Sequence, residues 1–142
     1  MPSPAPLSVG NALRKAEHIL RLTTDERLRK LALTAPQYAA LAALDDEPGL
    51  SGAALARRCF VTPQTMTGII VNLIGAGLIA REPDPEHGRI LKTTLTSRGA
   101  DLLRQARRTV ETVEAKMLAE LDIAEREALA DLLGQCANAL EL

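Results

Sequence analysis

The middle of the chain contains polar side chains of the kinds that bind base edges and phosphates. If residues 62–74 form a helix, one side of it is apolar and consists of Met66, Ile69, Ile70 and Leu73. The opposite side consists of Gln64, Thr65, Thr67, Gly68 and Asn72. An amide can form two hydrogen bonds with one base edge, and a threonine offers a hydroxyl group to a base or phosphate and a methyl group to thymine. This side of the helix is therefore predicted to enter the major groove of double-stranded DNA.

Local signals place this helix directly after a shorter one. Thr62 is a predicted N-cap, and Pro63 occupies the first helical position, where its missing N–H group has no cost. The free N–H groups at this helix start also favour a nearby phosphate. Ser51 is predicted to cap a short helix over about residues 51–59, which would brace the longer helix, and the segment 75–77 ends the longer one.

A β-hairpin is predicted immediately after these two helices. Residues 78–82 and 89–95 are short β-compatible runs, and the intervening residues 83–88 are rich in turn-forming Pro, Asp and Gly. Two short helices joined by a tight turn and followed by a hairpin form a winged helix-turn-helix, so the predicted fold class is mainly α with a small β-hairpin. The candidate phosphate contacts are Arg57, Arg58, Arg81, Lys92 and Arg98, with Arg89 at the wing tip as a candidate for the minor groove.

The charge distribution agrees with a DNA-binding middle segment. The net charge of the 142 residues is −1, but residues 51–98 carry +3 and residues 99–142 carry −4. Aromatic residues make up 1% of the chain, which argues against a stacking platform for single-stranded nucleic acid. No apolar run has the roughly 18 residues that a membrane span needs, and the first residues lack the layout of a secretion signal. We therefore expect a cytoplasmic protein with no membrane partner.

Both ends of the chain are predicted to form long amphipathic helices. Apolar residues recur every three or four positions in the segments 9–31, 97–120 and 122–140. Helices of this kind need a partner surface, and we expect them to pack on the same helices of a second copy. The predicted organisation is an N-terminal dimerisation helix (1–32), a winged helix-turn-helix domain (33–98) and C-terminal dimerisation helices (99–142).

Three segments together resemble the MarR family of dimeric winged-helix transcriptional regulators. The segment LTAPQYAALAAL (33–44) is similar to the family's second helix, with its Leu-Thr-x-x-Gln opening. Residues 55–82 are similar to its helix-turn-helix and end in the exit motif of Gly77, Leu78, Ile79 and Arg81. The segment RILKTTLTSRGADLL (89–103) is similar to the returning wing strand and the start of the long dimerisation helix. The order of segments matches the family over essentially the whole chain.

The resemblance implies a homodimer that binds a pseudo-palindromic operator, as a repressor or less often as an activator. It also implies release from DNA by a small ligand, often aromatic or anionic, in a cleft between the dimer helices and the winged domain. The chain departs from the family at the wing tip, where His87, Gly88 and Arg89 replace the usual Asp-x-Arg. The positions of Gly68 and Asn72 often carry a basic residue. These departures favour weaker binding, or an operator read mainly through Gln64, Thr65 and Thr67.

Other residues leave alternative functions open. His18 and Tyr38 are candidates for lining a ligand cleft. Cys59 and Cys136 leave a cysteine-based redox sensor possible, and the altered wing leaves open an interaction module with weak DNA binding. The sequence contains no Gly-rich phosphate loop, nucleophile elbow or His-Glu metal motif, and its His and Cys residues are not closely spaced. We therefore predict no catalytic residue, no metal site and no cofactor.

Overall fold

The computed structural model describes residues 8–141 and contains the predicted helices and hairpin. The helices are α1 (Val9–Leu28), a short 3-10 helix (Arg29–Leu31), α2 (Ala35–Asp46), α3 (Gly52–Arg58), α4 (Pro63–Gly75), α5 (Ser97–Met117) and α6 (Ile123–Leu140). The antiparallel hairpin consists of β1 (Ile79–Pro83) and β2 (Leu91–Leu95). The first seven residues of the predicted segment 1–32, and the last residue of 99–142, lie outside the described range.

Side-chain caps start the α-helices, and two of these caps are the predicted Ser51 and Thr62. The Gln37 backbone N–H donates to Thr34 Oγ1 at 3.2 Å, and the Thr34 N–H donates to Gln37 Oε1 at 3.0 Å, which is a complete capping box. Asp122 and Glu125 form the same reciprocal pair at the start of α6. Ser51 and Thr62 cap α3 and α4 in the same way through one hydrogen bond each.

Helix α2 is longer than the sequence predicts. The turn-forming run from Asp45 to Gly49 predicts that the helix ends at about Leu44, but the helix continues through Asp46. Carboxylates at a helix C-terminus are unfavourable against the helix dipole unless cations are near. Here Arg107 Nη1 of α5 lies 3.0 Å from Asp45 Oδ2. The guanidinium of Arg58, at the end of α3, forms ion pairs with both Asp46 and Glu47. These ion pairs connect α2 with both α3 and α5.

The hairpin pairs Ile79 with Leu95 and Pro83 with Leu91, so the first strand is shifted by one residue from the predicted 78–82, and the second lacks the first two residues of the predicted 89–95. The reason lies at the turn, where the Ile90 N–H donates to the His87 carbonyl oxygen at 2.8 Å. On the other side of β2, the Thr93 N–H donates to the Leu50 carbonyl oxygen at 3.1 Å. The wing is therefore attached to the connection between α2 and α3.

The main core lies behind α4. Its fully buried large side chains come from α1, α2, α3 and α4, namely Leu28, Leu41, Leu44, Leu55, Met66 and Leu73. Each of these contributes on the order of 1.5–3 kcal/mol of burial free energy. The core thus holds one side of α4 rigidly while its other side is in solvent.

A close backbone contact joins α5 to the wing. A Cβ atom at Gly99 would collide with the Leu78 carbonyl oxygen, so only glycine fits at this buried position. The Thr96 N–H donates to the same carbonyl at 3.0 Å, and Thr96 Oγ1 donates to the Gly77 carbonyl oxygen at 2.7 Å. The first turn of α5 is therefore fixed to the segment between α4 and β1.

Helix α6 has no buried residue in a single chain. Its apolar stripe is exposed, with Leu132 57% and Leu140 85% accessible, and the outer side of α1 also exposes Val9, Leu13 and Ile19. Exposed apolar stripes of this length mark an interaction surface. No helix within residues 8–141 has the length and apolarity required to cross a membrane.

Candidate nucleic-acid interface

The two sides of α4 lie as the sequence predicts. Its apolar side is buried, and its polar side is exposed over the full set of Gln64, Thr65, Thr67, Gly68 and Asn72. The amides of Gln64 and Asn72 form no hydrogen bond within residues 8–141. Both amides are therefore available to an external partner, whereas contact of this face with DNA stays a prediction.

The threonine hydroxyls on this face differ in availability. Thr62 Oγ1 accepts from the Thr65 backbone N–H at 3.1 Å and donates to Thr65 Oγ1 at 2.9 Å. Thr67 Oγ1 donates to the Pro63 carbonyl oxygen at 2.9 Å. The hydroxyl protons of Thr62 and Thr67 are thus used within the helix. The hydroxyl proton of Thr65 has no partner among the described residues and is available to an external acceptor.

The predicted phosphate-binding cations fall into two groups. Arg57, Arg89 and Arg98 are exposed and form no ion pair within the described part of the chain. By contrast, Arg58 Nη1 lies 2.6 Å from Glu47 Oε1, and Arg81 Nε donates to Thr93 Oγ1 at 3.2 Å. Lys92 Nζ lies 3.7 Å from Asp84 Oδ2. The second group has internal partners that the sequence analysis did not identify.

Asp84 organises the wing tip, a role that sequence analysis missed. Its Oδ1 atom accepts from the Glu86 backbone N–H at 2.8 Å, and its own N–H donates to the Ile90 carbonyl oxygen at 2.7 Å. Its other carboxylate oxygen faces Lys92. The Asp that the resemblance leads one to expect beside Arg89 is absent, but Asp84, the first residue after β1, supplies a carboxylate on the other side of the turn. The turn signal Pro83-Asp84-Pro85 could have indicated this residue, since Asp commonly accepts from the N–H two residues later.

The wing tip should lose its order at low pH. The Glu86 N–H, followed by the Lys92 ammonium, lowers the pKa of Asp84 below its usual value of 3.8. A carboxylate whose pKa is depressed stabilises the folded form above its unfolded pKa, and this contribution disappears as pH falls through the lower folded value.

We expect Asp84→Ala to accelerate amide exchange at Ile90 at pH 7, and Asp84→Asn, which still accepts from Glu86, to do so less. Hydrogen-exchange NMR would measure both, and equal exchange in all three proteins would contradict this role.

The two candidate ligand-contact residues lie on different helices. Tyr38 is half-buried on α2 beside Arg107; burial raises its pKa, and Arg107 partly opposes the shift. His18 is exposed on α1, with its Nδ1 atom 3.3 Å from Arg21 Nη2. No hydrogen bond joins these two residues, and ligand contact by either of them stays a prediction.

A pocket of about 480 Å³ opens between α1, α2 and the turn that precedes α4. Its walls are mostly apolar and include Leu20, Ala35, Pro36, Ala39, Cys59, Phe60 and Val61, with Glu17, Arg21 and Thr24 supplying polar groups. Burial raises the pKa of the Cys59 thiol, which keeps it protonated and less reactive at neutral pH. Neither His18 nor Tyr38 lines this pocket.

Comparison with known proteins identifies the family. The MarR family model matches residues 33–90. The chain is 40% identical over 117 residues to the HTH-type transcriptional repressor Rv2887 of Mycobacterium tuberculosis, covering 82% of this chain and 83% of that protein. This chain belongs to the MarR family. The relatives found with it are HTH-type transcriptional repressors and regulators, and the chain is accordingly a transcriptional regulator.

Solved MarR-family structures share this fold. The structure of Rv2887 with salicylic acid has a TM-score of 0.75 at 34% identity, covering 96% of this chain and 99% of the other. The structure of Rv2887 with DNA has a TM-score of 0.75 at 32% identity, with 92% and 98% covered. The Bordetella bronchiseptica regulator BpsR, whose DNA binding is regulated by 6-hydroxynicotinic acid, has a TM-score of 0.86 at 27% identity, with 96% and 98% covered. The predicted winged helix-turn-helix is therefore confirmed.

Proposed function

We propose that this MarR-family chain acts as a homodimeric repressor that binds a pseudo-palindromic operator and releases it when a small aromatic acid binds. The observation that carries the proposal is the exposed polar side of α4 beside a wing with Arg89 at its tip. A rigid core supports this surface, and the Rv2887 structure with DNA has the same fold. Two such surfaces related by a two-fold axis would meet successive major grooves about 34 Å apart.

The proposed contacts divide into those that read bases and those that bind phosphates. Gln64, Thr65 and Asn72 are assigned to base edges, because the two amides and the hydroxyl proton of Thr65 have no partner among the described residues. Thr67 and Gly68 lie on the same exposed side of α4 and add no charge to it. Arg57 and the N-terminus of α4 at Thr62 are assigned to phosphates, and Arg89 to the minor groove. Arg58, Arg81 and Lys92 reach phosphates only by leaving the partners described above, so we assign them weaker contributions.

The dimer is assigned to the exposed stripes of the outer helices. Helix α6 buries nothing within its own chain, and α1 exposes a second apolar stripe. In a two-fold dimer both subunits use the same patch, so one interface buries the stripes of both chains. We expect the interface to consist of α1, α5 and α6.

The pocket beneath α1 is the proposed effector site. Its walls suit an aromatic ring, and the Arg21 guanidinium, 3.4 Å from Glu17 Oε1 and exposed, can pair with a carboxylate. Salicylic acid and 6-hydroxynicotinic acid, associated with Rv2887 and BpsR respectively, are both hydroxylated aromatic monocarboxylic acids. We therefore assign this class of ligand. It can release DNA only if it binds the DNA-incompetent form more tightly than the competent one.

Fluorescence anisotropy with a duplex from the gene's own upstream region tests the proposal. We expect log affinity to fall linearly with log salt, because phosphate contacts release counterions. Salicylate should then dissociate the complex, and benzyl alcohol, which has the ring without the carboxylate, should not. Affinity that is independent of salt would contradict DNA binding, and a complex indifferent to both compounds would contradict the effector class.

Removing the wing-tip guanidinium should weaken operator binding by about 1–3 kcal/mol per dimer. The proposed reason is that Arg89 is exposed at the turn with no internal partner among the described residues, so its loss affects only the DNA contact. Anisotropy of Arg89→Ala measures the effect. Arg29→Ala, which removes the same charge from the 3-10 helix, is the matched control. Equal affinities of the two variants would remove the wing from the interface.

A further inference from the structure

We infer that Phe60 couples the effector pocket to the recognition helix α4 by closing over a bound aromatic acid. This inference rests on the proposed effector function. Phe60 stands in the turn between α3 and α4, where it forms part of the pocket wall opposite α1. No other phenylalanine or tryptophan is present in the sequence.

The Phe60 ring has almost no packing partner among the described residues. Its exposed fraction is 95%, whereas its neighbours Cys59 and Val61 pack against the core. A large apolar side chain in water is unfavourable, and the ring gains stability by covering any apolar surface within reach. The pocket beside it offers such a surface through Leu20 and Ala39, and a bound aromatic ring would extend it.

The backbone at this position is also held in an unfavourable conformation. Phe60 has φ +56°, in the left-handed region that glycine adopts without cost and a bulky side chain rarely does. The turn keeps this geometry because the Phe60 N–H donates to the Arg57 carbonyl oxygen at 3.3 Å and the Val61 N–H donates to that of Ala56 at 3.1 Å. A glycine would satisfy the backbone better, so the ring is the part of this residue that needs a functional explanation.

The ring is close in the chain to the start of α4. Thr62, two residues later, is the N-cap that sets where α4 begins, and its hydroxyl fixes the first turn through Thr65. We expect the ring to move together with its unfavourable backbone conformation, which would change the torsions of this short connection. Ligand binding would thereby alter the orientation of α4, which connects the pocket to the DNA-facing side chains.

Calorimetry and anisotropy on the full-length dimer test this inference with salicylate as the probe. Phe60→Gly keeps the left-handed backbone and removes the ring. We expect its salicylate affinity to fall about tenfold, its DNA affinity without salicylate to change less than about twofold, and saturating salicylate to release a smaller fraction of the DNA than it does from the unsubstituted protein. Ala32→Gly is the matched control, because Ala32 has the same φ of +56° and does not line this pocket.

The outcomes separate this inference from the function on which it rests. Unchanged salicylate binding and release in Phe60→Gly would overturn the role of Phe60 and leave the effector function intact. A wild-type protein that binds DNA but not salicylate would overturn both. Dissociation of the Phe60→Gly dimer, seen by sedimentation, would also overturn the inference, because the ring would then belong to the subunit interface.

Discussion

Gly68→Glu should abolish operator binding while leaving a folded dimer. Gly68 lies on the exposed side of α4, and a Cβ atom built there has no neighbour within 4 Å, so a larger side chain fits without strain. A carboxylate at this position would face the phosphates of the groove in both subunits. Repulsion between like charges at this range is worth up to about 4 kcal/mol per pair near a protein surface, so we expect a loss of at least about 100-fold in affinity.

Two further variants at Gly68 separate charge from shape. Gly68→Ala should raise the free energy of unfolding by about 1 kcal/mol, because glycine inside a helix is unfavourable, with little change in affinity. Gly68→Lys should increase affinity and steepen the salt dependence, since it adds a phosphate contact. Thermal unfolding and anisotropy measure these quantities. If Glu, Ala and Lys variants bound DNA equally, this side of α4 would not be the DNA-binding surface.

Leu132→Glu should convert the dimer to monomers at micromolar concentration and thereby reduce operator affinity about 100-fold or more. Leu132 is 57% exposed in the single chain, so the substitution does not disturb the fold of one subunit. In the proposed dimer, two-fold symmetry places two such carboxylates at an apolar interface, where an unpaired charge is strongly unfavourable. Sedimentation velocity measures the association state directly.

Asn138→Asp is the matched control for this variant. It adds the same charge to α6, but at 100° per residue position 138 lies about 120° around the helix from Leu132 and about 160° from Leu140, away from the apolar stripe. We expect it to stay dimeric and to bind DNA. A dimeric Leu132→Glu protein would exclude the α6 stripe from the interface, and two monomeric variants would show a general sensitivity of α6 to charge.

Features that depend on neighbours in sequence were predictable. The caps at Thr34, Ser51, Thr62 and Asp122 follow from hydrogen bonds that span three residues, so the sequence alone locates them. The buried and exposed sides of α4 follow from helical periodicity in the same way. These local rules are sufficient for the winged helix-turn-helix.

Features that depend on distant partners were not predictable. Arg58 pairs with Glu47 across eleven positions, and Lys92 pairs with Asp84 across the wing turn, so both cations appear free in the sequence. The extension of α2 to Asp46 depends on Arg107, more than sixty residues away. The left-handed conformation of Phe60 also has no sequence signal, because residues in this conformation are usually Gly or Asn and a Phe does not suggest it. Each of these requires the three-dimensional arrangement of the helices.

The junction of α5 with the wing makes the long helix a lever arm. Gly99 packs against the Leu78 carbonyl, and Thr96 donates hydrogen bonds to the carbonyl oxygens of both Gly77 and Leu78. The winged domain therefore has no hinge at this point and must move with α5. The 21 residues of α5 extend about 31 Å, so a swing of about 10° about its far end displaces the near end by about 5 Å. That distance is about one and a half base pairs along the duplex. A small rotation between the subunits is therefore enough to move the two recognition helices out of phase with the DNA.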